Sequence, residues 1–306
     1  MPVRDFTDGG PVEAVLLVRR REPSGERVRV TLADRTGTVD AVVDPQLAPL
    51  CAEGEPVHIR GRRVGRDLAV EALRPAGDDE VDWSALLDGP SRTAAQMEAD
   101  LRELVATIQR PPLRALLDAL LAPESATWPR FRDAPAAKRY HQAYRHGLLE
   151  HSLTVAQSVS AIAANFPGID RDVAVTGALL HDIGKLDAYT ADPLAIDMTD
   201  AGKLQGEIPL GYYRVRRLIE DLPGFPQELA AAVLHIILSH HGALAHGSPV
   251  VPCTREATLV HMIDNLGGRL GSFDRLEKEL PDGSRWSGYD RALGGGAYFA
   301  TGREAA

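Results

Sequence analysis

Four short stretches concentrate the side chains of this chain that can hold a cation. "LEHSL" carries His151, "LLHDIGK" carries His181, Asp182 and Lys185, "LSHHG" carries His240 and His241, and "MIDNL" carries Asp264. Nine of the ten histidines lie beyond residue 140, in the region that also holds these acids. Imidazoles and carboxylates are the ligands that Mn, Fe or Zn accept, and helix bundles build such sites from facing helices. Each stretch also has a plainer reading, because a lone inward histidine is usually a hydrogen-bonded core residue and a His-Asp pair can simply end a helix.

The spacing decides where these residues point. In "HGLLEHSLTVAQSVSAI", Leu148, His151, Val155, Val159 and Ile162 step by three or four, so His151 faces a core. In "RDVAVTGALLHDIGK", Ala174, Ala178 and His181 align in the same way, and the small residues admit a neighbouring helix. Asp182 follows at the helix end, with Gly184 supplying the turn. A buried carboxylate without a partner is costly, and a metal ion is one good partner for it. Val233, Ile237 and His240 share a face, with His241 one turn past Ile237; Ala257, His261, Asp264 and Gly268 share another. The chain thus offers His, His-Asp, His-His and Asp on four helices. His235 and His261 are expected beside such ligands or in the core, His146 caps the first ligand helix, and His141 just before it is a candidate substrate contact. Lys185 either reaches a phosphate oxygen or is a cation facing a helix C-terminus.

These helices are preceded by a different kind of chain. Residues 12 to 75 hold five short Val- and Leu-rich runs separated by turn-like pieces, with "PQLAPLCAEG" between the third and fourth long enough for a short helix. That is the arrangement of an OB barrel. The fold class is therefore multidomain: a small all-β OB-like barrel at 1–76, an acidic linker at 77–95, an all-α domain at 96–280, and a tail at 281–306 of little periodicity. At 306 residues the chain suits two domains, and its net charge of -9 argues against a general polycation. Cys51 and Cys253 are too far apart in sequence for a CxxC site. No signal pattern opens the chain and no apolar run is long enough for a bilayer, so a cytoplasmic protein without membrane contact is expected.

Taken in order, His151, His181-Asp182, the "SHHG" pair and Asp264 resemble the HD superfamily of metal-dependent phosphohydrolases. "PAAKRYHQAYRHGLLEHSL", "GALLHDIGK", "LSHHG", "GSPVVP" and "EATLVHMIDNL", behind an OB-like domain, resemble more narrowly the YhaM-type 3′-to-5′ exoribonucleases. The resemblance implies a metal-dependent 3′-5′ exonuclease acting on single-stranded RNA, with single-stranded DNA as a second substrate. It makes His151, His181, Asp182 and Asp264 the ligands of one divalent ion. It also lets Asp182 bridge to a second ion, held by His240, His241 or both and by Glu207. Mn²⁺ is the first expectation, with Fe, Ni or another transition metal as alternatives, and one or two ions are bound. Asp182 and Lys185 become catalytic residues, and homo-oligomers are implied, although no interface is legible. The chain departs from the family's pattern twice: many relatives carry His where Glu207 stands, and Asp-Ala where Gly267-Gly268 stand.

An OB domain binds single strands through a basic groove and stacking aromatics. Arg19, Arg20 and Arg21 form one basic cluster, and Arg60, Arg62, Arg63 and Arg66 another. Residues 1 to 76 nevertheless balance 12 Arg with 12 acids, and Phe6 is their sole Phe, Tyr or Trp, so backbone contact is expected rather than base stacking. Two rival functions stand beside the exonuclease. One is an HD phosphohydrolase for nucleotides or cyclic dinucleotides, and the other a non-catalytic nucleic-acid-binding protein with a structural metal.

Overall fold

The structure, a computed structural model, describes residues 1–87, 89–138, 142–190, 196–278, 280 and 283–300. The chain forms two compact units, residues 1–89 with 276–306 and residues 90–275.

In the first unit, β1 (Pro11–Ser24), β2 (Arg27–Asp34), β3 (Gly37–Val43), β4 (Pro56–Val64) and β5 (Asp67–Pro75) close into a barrel in the order β1-β2-β3-β5-β4. Alternation drives closure, because Val12, Leu16, Val30, Leu32, Val39, Ala41, Val57 and Ile59 all turn inward. The one parallel pairing, β3 with β5, sets Asp40 beside Asp67. Like charges side by side repel, and Arg29 answers them with contacts of 3.4 and 3.6 Å. Opposite Arg60 and Gly61 of β4, the extra residue Glu71 makes a bulge that bends β5. A Cβ on Gly61 would lie 2.2 Å from the Ala69 carbonyl oxygen, so only glycine fits the bend. A 3-10 turn, Ala48–Leu50, stands where a short helix was expected between β3 and β4.

The expected boundaries shift in two places. Within the span read as a linker, α1 (Trp83–Leu86) lies against β1 and β2 and buries Leu86. The tail read as aperiodic belongs to the barrel's unit and is tied by isolated bridges, Trp286 to Tyr298 and Asp290 to Gly295. Its glycine-rich sequence hides both pairings, because a two-residue bridge leaves no alternation to read.

The second unit is helical: α2 (Ala94–Ala106), α3 (Pro111–Leu121), α4 (Trp128–Asp133), α5 (Gly147–Ala163), α6 (Arg171–Leu180), α7 (Lys185–Ala188), α8 (Asp200–Gln205), α9 (Glu207–Asp221), α10 (Gln227–Ser239) and α11 (Arg255–Lys278). Local signals set several starts. Thr93 and Gln96 make a capping box for α2, and the Asp170 side chain caps α6; each cap contributes about 1 kcal/mol. α5 and α6 pack as a pair with α10 against α6. Gly177 makes that approach close, since a Cβ there would meet Ile236 at 2.3 Å. On α9 the buried stripe runs through Ile208, Gly211, Val215 and Ile219. Leu218 and Leu222 only flank it. Among the described residues no helix is long and apolar enough to cross a membrane.

Candidate metal centre

Helix ends bring the ligand candidates together. His151 is on the second turn of α5, His181 ends α6, His240 ends α10, Glu207 opens α9 and Asp264 lies within α11. One group comprises His151, His181 and Asp182, and a second comprises Glu207, His240 and His241. In the first, His151 Nε2 lies 3.1 Å from His181 Nε2, 3.3 Å from Asp182 Oδ2 and 3.1 Å from Asp264 Oδ1. In the second, His241 Nε2 lies 3.4 Å from Glu207 Oε1. Asp182 touches both groups: Oδ2 is 3.3 Å from His181 Nε2, and Oδ1 is 3.5 Å from His240 Nε2.

The backbone sets the tautomers. Carbonyl oxygens only accept, so the Nδ1–H of His181 donates to Ala178, that of His240 to Ile237 and that of His241 to His246, at 2.7, 2.8 and 3.0 Å. In the neutral rings every Nε2 lone pair then faces the carboxylates. Two buried atoms at the centre, Asp182 Oδ1 and His240 Nε2, have no hydrogen-bond partner among the described residues. An orphaned buried acceptor costs about 1–3 kcal/mol, and more when charged. A divalent ion answers both, so the donor set fits a metal in chemistry as well as position.

Protonation in the metal-free protein tells the same story. Burial opposes a charge on His151, yet Asp182 and Asp264 outweigh it and push its pKa up to about 9. That proton marks where a cation belongs. Burial works against the Asp182 carboxylate too, but Lys185, His181 and His151 hold its pKa well below the usual range. Burial pushes the His240 pKa down and keeps the ring neutral, while Glu207 raises that of His241 against burial.

Lys185 opens α7 just past the end of α6, and its Nζ donates to Asp182 Oδ2 at 2.7 Å. α7 itself is pinned through Asp187, which meets Arg130 of α4 at 3.2 Å and Arg214 of α9 at 2.6 Å. Gly184 serves a purpose other than the one expected. Its φ of -68° is ordinary, so no turn demands glycine there. A Cβ would lie 1.9 Å from the Glu207 carbonyl oxygen and 2.5 Å from Gly211 N, so glycine lets α9 back onto the His-Asp pair.

The remaining histidines divide. His261 Nδ1–H donates to the His240 carbonyl at 2.7 Å, and its ring fills the space beside Gly242. His235 Nε2 accepts from the Cys253 N–H at 2.9 Å. His146 holds the N-cap position of α5 with φ +69° but makes no side-chain cap; its Nδ1–H reaches the Arg132 carbonyl instead, at 2.8 Å. The left-handed backbone turns the ring away from the helix. His141 lies outside the described residues.

Gln142 was not singled out from the sequence, although it contacts a ligand candidate. Its Oε1 accepts from His151 Nδ1–H at 3.0 Å, while its Nε2 donates to Glu150 Oε2 at 3.2 Å. Tyr144 O–H donates to the same carboxylate at 2.5 Å. Glu150 can only accept, so it orients the amide and thereby the ring of His151. Nothing local in "HQAY" advertises this, and a φ of +58° at a glutamine is not readable from sequence. Gln142→Leu is expected to weaken metal binding by about 10–100-fold, the usual effect of losing a group that orients a ligand. Titration against a competing chelator checks it, and unchanged affinity would remove Gln142 from the site.

The barrel arginines do not form one patch. Arg62 pairs across from Pro11 on β1, whereas Arg19, Arg20 and Arg21 lie at least eight residues further along that strand, roughly 25 Å away. Arg20 is paired with Glu22, Arg62 with Glu71 at 3.5 Å, and Arg63 with the Gly65 carbonyl at 2.7 Å. Arg19, Arg21, Arg60 and Arg66 present exposed side chains.

Comparison with known proteins agrees with this geometry. The HD domain family matches residues 148–268, a span that contains both donor groups. The 3′-5′ exoribonuclease YhaM of Geobacillus sp. (strain WCH70) is 30% identical over 263 residues, covering 82% of this chain and 78% of that protein. The proteins of the same name from Bacillus velezensis and Bacillus subtilis are 31% and 30% identical, each over 74% of this chain and 71% of theirs. With two donor groups joined by one aspartate, and this identity across most of both chains, the chain belongs to the family of the YhaM 3′-5′ exoribonucleases.

Proposed function

We propose that the chain is a cytoplasmic, metal-dependent 3′-5′ exonuclease that hydrolyses the phosphodiester bonds of single-stranded RNA, with single-stranded DNA as a second substrate. The observation that carries this reading is Asp182, whose two oxygens face the two donor groups, in a chain of the exoribonuclease family. His151, His181, Asp182 and Asp264 would hold one ion, and His240, His241 and Glu207, with Asp182, would hold the other. Divalent ions, Mn²⁺ first among them, neutralise the phosphate and acidify the attacking water.

The protein's own groups do the positioning. Lys185, whose pKa burial would lower but Asp182 and Glu207 raise, stays a cation throughout. Its ammonium stands beside Asp182, in reach of a non-bridging oxygen of the scissile phosphate. The exposed arginines Arg19, Arg21, Arg60 and Arg66 draw in the backbone without reading bases, joined by Arg20, Arg62 and Arg63 when their local partners release them. The charge balance of the barrel keeps this attraction modest, so the strand slides as it shortens.

A 5′-labelled single-stranded RNA incubated with and without Mn²⁺ tests the proposal. A ladder shortening one nucleotide at a time from the 3′ end, present only with metal, is the expected result. An intact oligonucleotide alongside hydrolysed nucleotides or cyclic dinucleotides would overturn it, as would retention without cleavage.

A further inference from the structure

Described residues 283–300 supply what the barrel lacks. Phe6, the sole Phe, Tyr or Trp of residues 1 to 76, is buried, and outside the tail the one large exposed ring among the described residues of this unit is Trp83 of α1. The tail of the same compact unit folds back on itself. Ser287 N–H donates to the Ala297 carbonyl at 2.9 Å and Phe299 N–H to the Arg285 carbonyl at 2.8 Å. Asp290, buried, accepts from Ala292 N–H and Leu293 N–H and so closes the loop internally. Ala297 is buried as well. The hairpin therefore has an inner side and a backbone held by its own bonds.

Its outer side is aromatic and cationic. Trp286, Tyr289 and Tyr298 are 61%, 78% and 48% exposed. Trp286 and Tyr298 are bridge partners, and directly opposed residues share a face; their ring centroids are 5.1 Å apart. Arg285 and Arg291 are exposed, and neither makes an ion pair among the described residues. The one described carboxylate of this segment, Asp290, is turned inward. Exposed rings in such number mark an interaction surface. The partner's chemistry follows from what surrounds them. Unpaired guanidinium groups favour an anionic partner, and rings without exposed large aliphatic neighbours favour flat faces over a packed apolar side chain. Single strands offer both features in one polymer, phosphates for arginine and bases for the rings.

We propose that the 283–300 hairpin is a base-stacking platform for single-stranded RNA, with Trp286 and Tyr298 taking bases and Arg285 and Arg291 taking phosphates. This rests on the reading that the chain degrades such strands. Because every base has a π-face, the platform serves an enzyme that must accept any sequence.

The test compares the Mn²⁺-loaded full-length protein with its Trp286→Ala/Tyr298→Ala and Trp286→Phe variants. Each is given a labelled oligouridylate of about 20 nucleotides, a length that spans one barrel's usual site size, and separately bis-p-nitrophenyl phosphate, which has no bases to stack. The ratio of kcat/KM for the strand to that for the small diester is expected to fall about tenfold or more in the double alanine variant, through KM, and to recover in Trp286→Phe. An unchanged ratio in a protein that does shorten the strand would overturn the platform alone. So would an equal loss in Trp286→Phe, which keeps a ring. A wild-type protein that leaves the strand intact would overturn the nuclease reading and this proposal with it. A drop in the molar mass of the double variant with an unchanged ratio would assign the rings to a contact between copies.

Discussion

Asp182→Asn is expected to lose activity by roughly a thousandfold, corresponding to several kcal/mol of transition-state charge stabilisation supplied by metal, and to bind neither ion at wild-type occupancy. The second half of that expectation distinguishes Asp182 from every other ligand candidate. Its Oδ2 lies 3.3 Å from both His151 Nε2 and His181 Nε2, and its Oδ1 faces His240 Nε2 at 3.5 Å. Removing one negative charge therefore weakens two donor groups at once. Asparagine is the informative substitution, because alanine changes more than the metal site. Lys185 is nearly buried and its closest anion is Asp182, at 2.7 Å. Deleting one partner of a buried pair costs about 3–5 kcal/mol, so Asp182→Ala confuses lost metal with lost stability. In Asp182→Asn the amide oxygen can still accept from Lys185. Elemental analysis of the purified proteins, read beside their melting temperatures, decides the matter. Wild-type metal content in a well-folded Asp182→Asn protein would remove Asp182 from the centre.

Much of this architecture was legible in the sequence, for physical reasons that differ between the two units. Four of the five barrel strands match their sequence runs within about a residue because their side chains alternate between core and solvent and turns are marked by Gly, Asp or Pro, while β1 runs three residues further, to Ser24, into a piece read as a turn. Inward His151 and the His181-Asp182 pair were legible because a polar residue on an otherwise apolar helical stripe stands out. What was not legible depends on contacts between distant segments. The purpose of Gly184 is set by the α9 backbone, more than twenty residues on, and shows only as the close approach of Glu207 and Gly211. Lys185 had two local readings, and neither named its bond to Asp182 at the end of the preceding helix. Gln142 orients His151 from a loop whose left-handed backbone leaves no sequence signal. The tail's pairing consists of two isolated bridges, too short for any periodicity.

Glu207 stands where the family resemblance implies a histidine in many relatives, and the structure puts it in the second donor group. As the first residue of α9 it could be a helix-end acid, a role worth about 0.3–1 kcal/mol with no bearing on chemistry. Its surroundings ask for more. Its carboxylate is 3.4 Å from His241 Nε2, it groups with His240 and His241, and the close packing of Gly184 holds its backbone against the His-Asp turn. Burial would raise its pKa, yet His241 and Lys185 lower it, so the group is an anion at neutral pH. A carboxylate in place of a neutral imidazole adds a negative charge and a harder ligand, which favours Mn²⁺ over softer ions. Glu207→Gln is therefore expected to lose one ion, where Asp182→Asn depletes both, and to lose most of the activity. Its metal-free melting temperature should fall by no more than about 4 °C, the reach of a helix-end effect in a domain of this size. Glu207→His should keep both ions and activity but shift the preferred metal away from Mn²⁺ and toward ions that favour nitrogen ligands. Ion counting on the three proteins, with activity measured across a series of divalent metals, checks each part. Equal stoichiometry in wild type and Glu207→Gln would reduce Glu207 to a helix-end acid, and an unchanged metal profile in Glu207→His would mean that this position does not choose the ion.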